Sequence, residues 1–249
     1  MTMLEVRNVT KRFGNLIAVK DVSMSVKRGE LRAIIGPNGA GKTTFFNMIS
    51  GYFPPTKGSI LFDGQEVTQI PAHQRVGLGM GRTFQVTEIF PELTVHENVL
   101  TAAEVAAGQT LHMVPGKAAA KLANDVATEM LALVGLTSKA GRLVGELAHG
   151  DQRTTEIAMA LAQQPRLLLL DEPTAGMGDQ ETYEITALIR RLHRESNYTI
   201  VLIEHDMRVV FHLADYITVL DQGNLLTEGT PKEIAASEAV QAAYLGEAG

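Results

Sequence analysis

The sequence predicts an α/β fold in which a mixed sheet, partly parallel and partly antiparallel, carries an inserted α-helical subdomain. Three observations predict it. Short apolar runs (Leu31 to Ile35, Leu167 to Leu170, Thr199 to Ile203) alternate with segments of helical periodicity, the pattern of parallel strands joined by helical crossovers. Around the first run lie stretches with strand character: Val22, Met24 and Val26 alternate with polar residues before it, and Ser59 to Phe62 follows a turn after it. From about Val95 the composition turns Ala-rich, with apolar residues at helical spacing (Val126, Met130, Leu133, Val134).

The elements follow in order. Leu4, Val6 and Val9 begin a strand region that continues through Ala18 to Val26, and Lys27-Arg28-Gly29-Glu30 turns it into the run at Leu31. Pro54 to Gly58 is a second turn, followed by the strand Ser59–Phe62 and an Asp63-Gly64 turn signal. Helices are expected over about 95–107 and 117–134, with a loop from Gly108 to Gly116. Then come the strand at Leu167, a helix over about 179–195 and the strand at Thr199. Two short strands are expected within Tyr216 to Glu228 around Gln222-Gly223-Asn224, and a helical tail from Pro231. The expectation is one domain over 1–249, with an α/β core in about 1–86 and 166–249 and the helical subdomain in about 87–165.

Composition narrows the partners. The net charge of −6 argues against nucleic acid, whose phosphates favour a basic surface. Zero cysteines exclude disulfides and thiolate metal sites and fit a reducing cytosol. No apolar run approaches the length of a membrane span and the N-terminal stretch lacks a signal-peptide core, so work at a membrane has to pass through a partner.

The run at Leu31 leads into Gly36-Pro37-Asn38-Gly39-Ala40-Gly41-Lys42-Thr43, which fits in full the phosphate-loop pattern GxxxxGK followed by Ser or Thr. Glycines 36, 39 and 41 let the backbone bring its N–H groups close to an anion. Phe45, Phe46, Met48 and Ile49 then recur at helical spacing, and a helix N-terminus adds unpaired N–H donors and partial positive charge. Lys42 supplies a full charge to the β and γ phosphates, Thr43 offers a hydroxyl to Mg²⁺, and Thr44 completes the binding stretch. The core is thus expected to be that of a phosphate-loop NTPase, with ATP and Mg²⁺ as its ligands.

A second group of chemical residues sits at Asp171-Glu172, two carboxylates at the C-terminal end of a buried strand, where ligands of open α/β sheets gather. Asp171 can hold Mg²⁺ through water, and Glu172 can polarise an attacking water. His205 follows the next strand, a place where histidines are more often structural. Just upstream, Leu147-Ala148-His149-Gly150-Asp151-Gln152-Arg153 opens a helix with apolar Ile157, Ala158 and Leu161.

With that stretch the chain resembles an ATP-binding-cassette (ABC) ATPase over nearly its whole length: phosphate loop, a glutamine in Arg82-Thr83-Phe84-Gln85, a signature loop, a carboxylate strand and a switch histidine, in that order. The resemblance implies that Gln85 senses Mg²⁺ and signals to the membrane subunit. It implies that Phe13 stacks on adenine, that His205 reaches the γ-phosphate and that Ala175 to Asp179 contacts a second subunit. Ala148, His149, Gly150 and Asp151 would face the nucleotide of that subunit. Here the chain departs from the family's Leu-Ser-Gly-Gly-Gln: Ala148 lacks the hydroxyl that usually touches the γ-phosphate, while Asp151 can accept from a ribose hydroxyl but brings negative charge near a phosphate chain.

Within the family, Arg82 to Phe90, Leu93 to Val99, the alanine in the signature, Glu172 to Met177 and the terminal Ala243 to Glu247 resemble the ATPases of branched-chain (hydrophobic) amino acid importers; urea and lipopolysaccharide-export ATPases look alike here. The expected partners are a second ATPase subunit (identical or not), membrane permease subunits and, through them, an extracytoplasmic solute-binding protein. The expected location is cytoplasmic, peripheral to the membrane. A non-transport ABC protein and an ATP-binding module with little turnover remain alternatives.

Overall fold

The computed structural model describes residues 1–83, 89–107 and 117–245; Gln85 lies outside them. In chain order the strands and helices are β1 (Thr2–Phe13), β2 (Leu16–Lys27), β3 (Leu31–Ile35), α1 (Lys42–Ser50), β4 (Lys57–Phe62), β5 (Gln65–Glu66), α2 (Ala72–Gly77) and β6 (Met80–Arg82). There follow α3 (Val95–Ala106), α4 (Lys117–Val134), α5 (His149–Ala162), β7 (Leu167–Asp171) and α6 (Asp179–Arg194). The chain closes with β8 (Thr199–Ile203), α7 (Met207–Leu213), β9 (Tyr216–Asp221), β10 (Asn224–Gly229), α8 (Pro231–Ala235) and α9 (Glu238–Leu245). Two compact units result: Met1–Arg75 with Ile189–Gly249, and Val76–Leu188.

The first unit holds an antiparallel sheet in the order β2-β1-β4-β5. The strand region read from Leu4 to Val26 is two strands, because Gly14 takes a left-handed φ of 58° and turns the chain back. Buried residues face each other across the pair, Leu4 with Val26, Val6 with Met24 and Val9 with Val22. Between the last two pairs the register shifts at Asn8, whose φ is 47° and whose N–H donates to Ser23 Oγ at 2.8 Å.

β3 has every residue buried, as a strand covered on both faces must. It pairs in parallel with β8 (Ile34 opposite Ile203) and with β9 (Ile35 opposite Val219), while β10 runs antiparallel to β9. The expected mixed sheet is therefore present within this unit. Since β3, β8 and β9 share one direction, the segments that follow them, from Gly36, Glu204 and Gln222, leave the same end of the sheet.

α1 is fixed at its far end by Arg75, 1% exposed. Its guanidinium donates to Met48 O at 3.0 Å and Ile49 O at 2.6 Å, carbonyls of the last turn of α1, and to Ile70 O and Val67 O beyond it. A cation on those carbonyls also suits the negative end of the helix dipole. Burial lowers the Arg75 pKa to about 10, so the side chain stays charged at neutral pH.

In the second unit α3, α4 and α5 pack on one another. Thr94 and Glu97 form a reciprocal capping box at the start of α3, and buried Asn98 ties that turn together by accepting from Phe90 N and donating to Phe90 O and Thr94 O. β6 pairs in parallel with β7, Arg82 opposite Leu169. Its three residues, Met80-Gly81-Arg82, carry no strand pattern, which is why the sequence reading has no strand there.

Candidate functional site

The first unit carries Phe13, the phosphate loop and His205. The loop leaves β3 at Gly36, where a Cβ would lie 2.1 Å from Leu220 O; only glycine admits so close a strand. Gly41, the residue before α1, has φ 95° and lies under the same pressure from Ala18 O, 2.5 Å from its would-be Cβ. On the other side the turn after β9 braces the loop, Gly223 N–H donating to Ala40 O at 3.1 Å. Lys42 is 5% exposed, and its ammonium donates to Gly36 O at 2.7 Å and Pro37 O at 2.9 Å. Asn38, Gly39 and Thr43 are exposed, Pro37 and Ala40 buried, and Thr44 half-buried. The first turn of α1 contains no acid and no side chain caps it. Its N–H groups and the lysine are thus arranged as an anion site needs.

His205 is exposed in the turn after β8, and buried Glu204 shapes that turn by accepting the N–H groups of His205 (2.9 Å) and Asp206 (3.3 Å). Asp206 in turn caps α7 by accepting from Arg208 N. Phe13 ends β1 half-exposed, edge-on to Phe53 at 5.5 Å between centroids, with the Lys11 ammonium 5.3 Å from its ring centre.

The second unit carries Asp171, Glu172 and the stretch Ala148–Asp151. Asp171, 2% exposed, accepts from Arg82 Nη2 at 3.0 Å through Oδ2; its Oδ1 is buried with no partner among the described residues. Burial pushes its carboxyl above the ordinary range, Arg82 pulls it back, Glu172 adds to the rise, and the balance stays upward. Arg153 on α5 spans Glu156, at 2.6 Å, and the carbonyl of Asp171. The next residue, half-buried Glu172, has φ 46°, a strained conformation for a side-chain-bearing residue and common at functional sites. Its carbonyl accepts Ala175 N–H at 3.1 Å, which closes the turn.

At the start of α5, Ala148 caps without a side-chain bond, and Ala148 and His149 are exposed. Gly150 N–H donates to Glu181 Oε1 at 2.9 Å. Asp151 is paired with Lys139 Nζ at 2.5 Å, so the negative charge that the sequence leaves next to a phosphate chain has a counter-charge in the fold.

Taken one by one, Thr43 and Asp171 offer oxygens of the kind Mg²⁺ takes. That cation keeps several waters and takes one or two protein oxygens together with phosphates. The orphaned, buried Oδ1 of Asp171 suits one such water, and the exposed Thr43 hydroxyl suits a direct ligand. Among the described residues there is no cluster of three or more His, Asp or Glu placed as a closed cage.

The sequence reading missed Arg82, Lys139, Arg153, Glu181 and Glu204. Arg82 and Arg153 stand inside motifs already quoted, yet their partners Asp171 and Glu156 are fixed only by folding.

Comparison with known proteins follows the same line. A family model described as "ABC transporter" matches residues 19–175, and one described as "Branched-chain amino acid ATP-binding cassette transporter" matches 224–249. The chain is 43% identical to the high-affinity branched-chain amino acid transport ATP-binding protein BraF of Pseudomonas aeruginosa, over 99% of this chain and 98% of that one. The solved ADP conformation of an ATP-binding cassette from an ABC transporter is similar with TM-score 0.88 and 29% identity, over 99% of both chains. A dimeric cassette in a post-hydrolysis state with ADP and Pi is similar with TM-score 0.76 and 28% identity, over 92% of this chain and 99% of that one.

Proposed function

The chain belongs to the ABC transporter family as an ATP-binding cassette, and on that premise we propose that it hydrolyses ATP to energise the import of branched-chain or related hydrophobic amino acids. The observation that carries the choice of solute is the match of residues 224–249 to the branched-chain amino acid cassettes, joined to 43% identity over nearly the whole of BraF.

Cassettes of this family form dimers and work with membrane permease subunits. In this reading two cassettes, identical or not, meet head to tail, and each ATP lies between the phosphate loop of one and the α5 N-terminus of the other. Lys42 exchanges its loop carbonyls for β and γ phosphate oxygens, which its rotatable ammonium allows. The amides of residues 36–44 bind the same phosphates, Phe13 stacks on adenine, and His205 reaches the γ-phosphate. Thr43 and Asp171, with Gln85, would hold Mg²⁺, which would supply charge neutralisation on the phosphates. Glu172 takes a proton from a water as its oxygen attacks the γ-phosphorus; the bond to the bridging oxygen breaks, leaving ADP and phosphate. Closure on ATP and opening after release drive the permease, which a solute-binding protein supplies from outside.

No helix among the described residues is long and apolar enough to cross a membrane. From its likeness to transporter ATP-binding proteins we assign the chain to the cytoplasmic face, held there by the permease. Transport in vesicles that contain the permease, with ATP inside and radiolabelled leucine presented with the binding protein, tests this function. Uptake that requires the chain and ATP is expected. Equal uptake without the chain, or uptake confined to an unrelated solute, would contradict it.

A further inference from the structure

The α5 N-terminus already holds an anion, and the protein supplies it. Glu181, in the first turn of α6, accepts Gly150 N–H through Oε1 at 2.9 Å and Gly178 N–H through Oε2 at 3.4 Å. A carboxylate and a terminal phosphate ask for the same donors, and both gain from the partial positive charge at a helix N-terminus. One N–H cannot serve both. Asp151, the other acid at this turn, is paired with Lys139 and does not compete for the Gly150 donor.

We propose that Glu181 is a built-in competitor for the phosphate of the opposite subunit, a self-ligand that keeps the α5 N-terminus occupied until the γ-phosphate displaces it. This rests on the head-to-tail reading above. The geometry suits displacement. Glu181 is only half-buried, on a flexible three-torsion side chain, and it has a second place to go. Its bond to Gly178 N–H is long, and Glu181 stands three residues after Gly178, where a glutamate reaches back to the N-cap amide. Released from Gly150, the carboxylate can shorten that bond. Glu181 also links the α5 N-terminus to Ala175–Asp179, the loop expected to touch the second subunit, so its departure from Gly150 uncouples these two dimer-facing segments. In effect Glu181 sets how much ATP is needed before two cassettes close.

The experiment measures dimerisation rather than turnover. Sedimentation velocity is run on the Glu172→Gln chain, which should retain ATP, and on the same chain with Glu181→Ala or Glu181→Gln, across a range of MgATP. Removing a competing charged hydrogen bond should tighten the ATP-dependent dimer about tenfold or more for Glu181→Ala. Glu181→Gln keeps an acceptor but loses the charge and should fall between; if Glu181→Ala does not fold, the sign of the Glu181→Gln change decides. An unchanged or weaker dimer means that Glu181 is a structural clamp, and overturns the proposal while leaving the head-to-tail reading in place. A Glu172→Gln parent that stays monomeric at every ATP concentration overturns that reading, and this proposal with it.

Discussion

α1 and α5 both begin beside glycines, and they treat their N-terminal amides in opposite ways. At α1 the N-cap is Gly41, no acid lies in the first turn, and the Lys42 ammonium donates to the loop carbonyl of Gly36. At α5 an acid sits in the first turn and a carboxylate from another helix accepts the Gly150 amide. The α1 N-terminus, preceded by left-handed Gly41, has no side-chain cap and no acid in its first turn, whereas α5, preceded by extended Ala148, has its Gly150 amide taken by Glu181. In a head-to-tail dimer that difference makes physical sense: α1 has to bind ATP in a lone subunit, and α5 has to bind it only when a second subunit brings it.

The predictions test that division, beginning with the largest effect. Glu172→Gln removes the proposed base and leaves the phosphate loop untouched; hydrolysis should fall about 10²–10⁴-fold while ATP binding persists. Steady-state phosphate release together with nucleotide titration checks it, and wild-type turnover would break the assignment. Arg75→Met strips the donor from the carbonyls at the far end of α1, which cannot all find new partners in a buried site. The fold should lose about 2–4 kcal/mol, measured by urea unfolding.

Lys42→Ala comes next. It removes a charge-assisted contact of roughly 1.5–3 kcal/mol, so calorimetric titration should show MgATP binding roughly tenfold to over a hundredfold weaker. Unchanged affinity would mean that α1 is not the open end. The smallest effect is expected of Asp151→Gln. Its partner Lys139 is 39% exposed, so solvent screens the pair and the stability change should stay within about 0.2–1 kcal/mol. Turnover with the permease present should be equal or faster; a loss beyond about tenfold would assign the carboxylate a role in the site itself.

The legible parts of this molecule are those whose chemistry is local. The phosphate loop is a contiguous string of residues, and Asp171-Glu172 directly follows the apolar run Leu167 to Leu170 at the end of β7. The alternation of apolar runs and helical segments gave the mixed sheet of the first unit for the same reason. The contacts that adjust the site are not local. Arg82 meets Asp171 across 89 residues, Gly150 meets Glu181 across 31 and Lys139 meets Asp151 across 12. Each joins ordinary surface residue types that leave no spacing to read. Asp151 shows the consequence: from sequence it is an unbalanced charge, and only the fold provides Lys139. β6 escaped notice because pairing with β7, rather than its own residues, makes it a strand.

The central claim is that the open end of one subunit meets the occupied end of another through ATP. The chain contains no cysteine, so single cysteines can report on it directly. Glu172→Gln chains carrying either Asn38→Cys, in the phosphate loop, or His149→Cys, at the start of α5, are mixed and mildly oxidised; both positions are exposed. The account predicts a disulfide between the two different chains that forms with MgATP, and that is lost when Lys42→Ala is added to the chain carrying Asn38→Cys. No such cross-link, or one that forms equally well without ATP, would contradict it.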